Sequence, residues 1–140
     1  MDNKKIHYTI CGLSYVYVDV PVGKDQHGTE YIDVPVEVLE KAIAAALIEA
    51  KVPLRGREVM FLRKALAMNR NDWAKLLDVT ASAILSWEKD KDKRLSRINE
   101  IAIRALCSEK LGVHLRGNLA DLMSVDSYPE VLLVSTPKAA

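Results

Sequence analysis

Near the N-terminus apolar and polar positions alternate at every second residue, and further along the chain the repeat lengthens to three and four. The stretch 6–11 alternates Ile6, Tyr8 and Ile10 with His7, Thr9 and Cys11, and 15–20 is dense in Tyr and Val, so both read as strands. Gly12 suits a turn between them, Gly23 to Gly28 bounds a second turn or loop, and 29–34 returns as a third strand. Together these predict a small antiparallel sheet. Pro35 then opens a helix, because proline tolerates the first turn, where its missing N–H has no helical partner anyway. Val36, Leu39, Ile43, Ala46, Leu47 and Ala50 recur at three- and four-residue steps and make one face of a helix over 36–51, closed by Val52 and Pro53.

Four helices follow. The first covers 57–67, with Val59, Leu62 and Leu66 on one face. Asn69 is a suitable N-cap for the second, with Asp72 at the positive end of its dipole and Trp73, Ala74 and Leu77 inward. A break at Asp78 and Val79 leads to Thr80, the N-cap of a short third helix over 81–88 whose inward residues are Ile84 and Trp87. After a charged loop over 89–94, a fourth helix over 96–110 shows an apolar face of Ile98, Ile101, Ala102 and Ala105 and a C-terminal cap at Gly112. The tail holds a short helix within 115–123 and a strand over 131–136, between Pro129 and Pro137, which must pair with the N-terminal sheet or with a second copy of the chain. The expected fold class is α+β: an N-terminal sheet and helix over 1–53, a mainly helical unit over 54–114, and a tail over 115–140.

Net charge is only +1, yet its distribution is uneven. Over 1–50 four Lys face eight acids, leaving −4; over 51–116 seven Lys and eight Arg face eight acids, leaving +7; over 117–140 one Lys faces three acids, leaving −2. A basic middle between acidic ends suits a nucleic-acid-binding segment. No apolar run is long enough to cross a membrane, and the lysines at the N-terminus are not followed by an apolar stretch, so no secretory leader is expected. Cys11 and Cys107 are far apart and form no C-x-x-C pair, which suits a reduced, cytoplasmic setting and two small apolar residues. His7, His27 and His114 are scattered without ligand spacing, and no nucleophile, dinucleotide or phosphate-loop motif is present, so neither metal, cofactor nor catalysis is expected.

The second and third helices of the basic segment carry a more specific pattern. A small residue stands where they would cross (Ala74), an apolar one in the turn (Val79) and an apolar anchor in the following helix (Ile84). With the leucine-rich run from Phe61 to Leu66, and Trp87-Glu88 at the expected step, this resembles the Xre/Cro/lambda-repressor-type helix-turn-helix. The resemblance implies a lambda-repressor-like domain, double-stranded DNA as partner, and a homodimer reading paired half-sites. The preceding sheet and helix are similar in order to the MqsA-type antitoxins and their zinc-less relatives. That likeness implies a toxin partner, and a zinc site lost here because only Cys11 stands where those antitoxins carry paired cysteines.

In this register Ala81, Ser82, Leu85 and Ser86 face the major groove. Arg70, Lys89, Lys91, Lys93 and Arg94 surround them for phosphate contact, with Asn71 and Thr80 alongside. Two positions depart from the family pattern: Arg70 replaces its glutamine, and Asp78 replaces its turn glycine. Short side chains at the groove positions read base edges poorly. An alternative is therefore a protein-interaction module that keeps the helix-turn-helix as scaffold and offers Ala81 and Leu85 to a protein.

Overall fold

The computed structural model describes residues 3–115 and 117–136; Met1, Asp2, Arg116 and residues 137–140 lie outside that description, and with them Pro137, expected to close the last strand. The order is β1 (Asn3–His7), a 3-10 turn (Ile10–Gly12), β2 (Val16–Lys24), β3 (Glu30–Ile32), α1 (Val36–Glu49), α2 (Gly56–Ala65), α3 (Arg70–Leu77), α4 (Ala81–Lys89), α5 (Arg97–Leu111), α6 (Leu119–Met123) and β4 (Leu132–Ser135). The fold class is α+β, with four strands and six α-helices among the described residues.

β2 is the spine of the sheet. It pairs antiparallel with β1 (His7↔Tyr17 to Asn3↔Pro21), antiparallel with β3 (Val22↔Ile32 to Lys24↔Glu30) and parallel with β4 (Val16↔Leu132 to Asp19↔Ser135). The sheet is therefore mixed, not purely antiparallel, and within the chain the last strand takes the N-terminal sheet as partner. A parallel pair needs a long crossover, and the whole helical part of the chain supplies it. Val16, Val18, Val20 and Val134 bury one sheet face against Leu39, Ile43 and Leu47 of α1. The same cluster continues through Val52 and Leu54 to Val59, Phe61, Leu62, Trp73, Ile84 and Ile103. Packing does not break at Pro53, which is itself buried.

The helix ends follow local chemistry. Asn69 Oδ1 accepts the Asp72 N–H at 2.8 Å, Thr80 Oγ1 accepts that of Ala83 at 3.0 Å, and Ser96 Oγ accepts that of Asn99 at 3.3 Å. α5 stops at Gly112, with φ 69°, and α3 stops at Asp78 in the left-handed region, with φ 55° and ψ 47°.

Three expectations need correction. The first strand ends at His7 and does not run to Cys11, because Cys11 (φ 52°) and Gly12 (φ 77°) reverse the chain in a 3-10 turn. Ile10 and Cys11 still pack on the core, so alternation in the sequence runs on through the bend. In α1 the ends Val36 and Ala50 are exposed, and Ala44 and Ile48 take their place inside. In α5 the expected apolar face points outward: Ile98 is 67% exposed and Ala102 and Ala105 are exposed, while Glu100, Ile103, Arg104, Cys107 and Ser108 are buried. Arg104 and Glu100 go inward because they neutralise each other at 3.0 Å, and Arg104 also donates to the Val52 carbonyl.

Candidate nucleic-acid interface

Two short helices joined at residues 78–80 form the outer part of the basic segment. Trp73, Ala74 and Ile84 are buried where α3 and α4 meet the core, and Trp87 is half-buried beside them. α4 also presses against the start of α2. A Cβ placed on Gly56 would stand 2.0 Å from the Trp87 carbonyl oxygen and 2.6 Å from that of Asp90, so only glycine fits there. The loop after α4 is pinned to the same place, with Leu95 N–H donating to Leu54 O at 2.9 Å and Gly56 N–H to Lys93 O at 3.3 Å. Arg57 reinforces it through Asp92 and through the Gly12 carbonyl at 2.8 Å.

At the centre is Glu88, only 1% exposed. Arg63 of α2 donates to it from Nε and Nη2, both at 2.8 Å, and from Nη1 to the Met68 carbonyl at 3.0 Å. Arg70 of α3 adds Nη2 at 3.2 Å. One carboxylate thereby ties three helices in fixed mutual positions, through the planar fork that arginine offers and lysine does not. The Glu88 hydrogen bond holds the Arg63 guanidinium above its ordinary pKa, against the opposing effect of burial.

The groove-facing expectation can now be placed on the surface. Asn71, Thr80, Ser82, Ser86, Lys89 and Lys93 are exposed, and Ala81 and Leu85 are half-buried. Ser82 and Leu85 form a ridge between two clefts. One, of about 420 Å³, is lined by Arg63, Asn69, Arg70, Asn71 and Ala81; the other, of about 460 Å³, by Ser86, Lys89 and Asp90. The Thr80 hydroxyl is the cap of α4, and with one lone pair taken by Ala83 N–H it keeps its O–H and a second lone pair for a ligand.

Two expected contacts have other partners. Arg70 is partly bound to Glu88, and its Nε is buried with no hydrogen-bond partner among the described residues. Arg94 turns away from α4 toward Glu100, at 2.9 and 3.0 Å, and toward the Val125 carbonyl of the tail. Both are cationic and close in sequence to α4, and a buried carboxylate competes for each. The sequence did contain a signal for the missed residues, since Glu88 closes the quoted motif and an acid among apolar neighbours must find a cation. Gly56 gave no such signal, because its close approach is to residues 31 and 34 positions away in the chain.

No three or more His, Cys, Asp or Glu side chains come together as a metal-binding group among the described residues. Burial pushes the Cys107 thiol up to about 12, and burial also raises that of Cys11. No helix among the described residues is long and apolar enough to cross a membrane. The chain matches no protein-family model, no curated protein and no solved structure.

Proposed function

We propose that this chain is a DNA-binding transcriptional regulator of the helix-turn-helix kind, acting in the cytoplasm as a homodimeric repressor with an antitoxin-like, autoregulatory role. α4 is the recognition helix: Ser82 and Ser86 meet base edges, Ala81 and Leu85 meet thymine methyl groups, and Lys89, Lys91 and Lys93 meet phosphates. The observation that carries this reading is the exposed row Ser82, Ser86 and Lys89 along α4, fixed from beneath by the Glu88 ion-pair hub. A recognition helix needs that rigidity, because base contacts are lost when the helix moves relative to the backbone contacts.

The test is a fluorescence-anisotropy titration with the DNA upstream of its own gene, beside random DNA, at two salt concentrations. Tight binding to the upstream DNA is expected, with log K falling by about 0.9 per phosphate contact for each unit of log salt. Ser82→Ala with Ser86→Ala is expected to lower the preference for that DNA while leaving random-sequence binding unchanged. Equal binding to both DNAs in the wild type would reject autorepression.

The half-buried, apolar Ala81 and Leu85 favour a second reading, in which this ridge meets a protein such as a toxin. An apolar interface of that kind would hold its affinity as salt rises.

A further inference from the structure

β1 and β4, two of the three strands that pair only with β2, end the sheet differently. β1 reads Asn3, Lys4, Lys5, Ile6, His7, a charged edge of the kind that discourages addition of another strand. β4 reads Leu132, Leu133, Val134, Ser135, and the run 131–136 carries no charge. Leu132 N–H donates to the Tyr15 carbonyl at 2.8 Å, so Leu132 and, two residues on, Val134 turn their backbone groups toward β2. The backbone groups of Val131, Leu133 and Ser135 point the other way, and among the described residues no hydrogen bond reaches them. β3 pairs with β2 only from Val22 onward and leaves this stretch open.

The outer face of the sheet adds side chains in register with that edge. His7, Tyr17 and Leu133 lie side by side on three strands. The rings of His7 and Tyr17 stack with centroids 4.6 Å apart, and Leu133 stands next to Tyr17, 50% exposed, as is Val131.

We infer that β4 pairs antiparallel with β4 of a second copy of this chain, across a two-fold axis at Leu133, joining two sheets into one. An open strand edge specifies an extended strand as its occupant, and a two-fold axis makes a strand complementary to itself. With the axis at Leu133, that residue exchanges both backbone hydrogen bonds with its copy, and Val131 meets Ser135 of the other chain. The row His7, Tyr17, Leu133 then continues into its symmetry mate and covers the exposed leucines. No like charges oppose each other along 131–136. The inference deepens the dimer of the proposed function and rests on that reading only in taking the working unit to be a pair.

Sedimentation of the full chain without DNA, over rising concentration, tests it. The mass is expected to approach twice the 15.6 kDa of one chain. Leu133→Lys sets two charges against each other, and Ser135→Pro removes an N–H that β2 does not use; both are expected to stay at monomer mass with an unchanged circular dichroism spectrum. Ile98→Lys, on the outward stripe of α5, is expected to leave the dimer intact. A wild type that stays monomeric, a dimer indifferent to both β4 variants, or one broken by Ile98→Lys alone would overturn the inference, and the last would move the interface to α5. If the β4 variants unfold, amide exchange of the wild type decides: protection of Leu133 and Ser135 that grows with concentration supports the pairing, and unchanged protection rejects it. Because no arm uses DNA, failure here is separate from failure of the DNA titration.

Discussion

The arginines and lysines of the basic segment are interleaved in sequence but are sorted in space. Each described arginine from Arg55 to Arg104 is bound by the protein: Arg55 by Glu58, Arg57 by Asp92, Arg63 and Arg70 by Glu88, Arg94 and Arg104 by Glu100, and Arg97 by the Met123 and Val125 carbonyls. Lys64, Lys75, Lys89, Lys91 and Lys93 are exposed and make no side-chain hydrogen bond or ion pair among the described residues. The guanidinium is planar and weakly hydrated and suits buried carboxylates, whereas the ammonium keeps its water. The formal +7 over 51–116 therefore combines an inner layer that holds helices together with an outer layer that supplies the field.

The strongest way to break that division is from inside. Glu88→Ala leaves the guanidinium of Arg63 buried without its carboxylate, an uncompensated charge that costs about 3–5 kcal/mol. Urea denaturation is expected to show a loss of that size, with DNA binding lost even under conditions where the variant is still folded. A loss near that of a surface substitution would mean that the hub does not fix α4.

Arg63→Lys sharpens the same point at constant charge. Lysine cannot reproduce the paired 2.8 Å contacts or the third bond to Met68, and losing charge-assisted hydrogen bonds of this kind costs about 1.5–3 kcal/mol. If net charge were what mattered, this variant would behave as wild type in both urea denaturation and DNA titration.

What the sequence disclosed follows the range of each interaction. The caps at Asn69, Thr80 and Gly112 depend on neighbours within a few residues and are legible, as is the break at Asp78, whereas Ser96, expected as the first residue of α5, is its N-cap. The inward face of α5 is not legible, because its burial depends on Arg104 and Glu100 neutralising each other, and a pattern of apolar residues assigns both to solvent. The partner of β4 is not legible, since pairing across more than a hundred residues leaves no local mark. At the candidate site, of the four α4 residues that the resemblance turns toward the groove, Ser82 and Ser86 are exposed and Ala81 and Leu85 are half-buried. The ion pairs of Arg70 and Arg94 leave no local mark, because their carboxylate partners lie 18 and 6 residues away and only the fold brings them together.

A pH series tests the inner layer more gently. Burial holds the Glu58 carboxyl above its ordinary value of 4.5, although Arg55 hydrogen-bonds to it and opposes the rise. A raised carboxyl pKa means that the fold prefers the proton, so this contribution to stability is complete below the ordinary value and is lost as pH climbs through the folded one. Glu58→Gln keeps an acceptor for the Arg55 N–H, which Glu58 now takes at 3.0 Å. Its stability relative to wild type, followed by urea midpoints, is expected to improve from acid to neutral pH. A difference that stays constant would mean that burial does not govern this carboxyl.

The smallest effect on stability is expected in the outer layer. Lys89→Ala, Lys91→Ala and Lys93→Ala remove no side-chain contact, because Lys91 and Lys93 serve the fold through their carbonyls, which accept from Arg57 and Gly56 and are unchanged by the substitution. Each variant is expected to melt within about 0.5 kcal/mol of wild type. The same substitutions should weaken binding to upstream and random DNA alike, and each should reduce the salt slope by about 1. Phosphate contact carries no sequence information, so the preference between the two DNAs should survive. Loss of stability without loss of salt slope would reverse the roles assigned to the two layers, placing the lysines in the scaffold and leaving the DNA contact to the arginines.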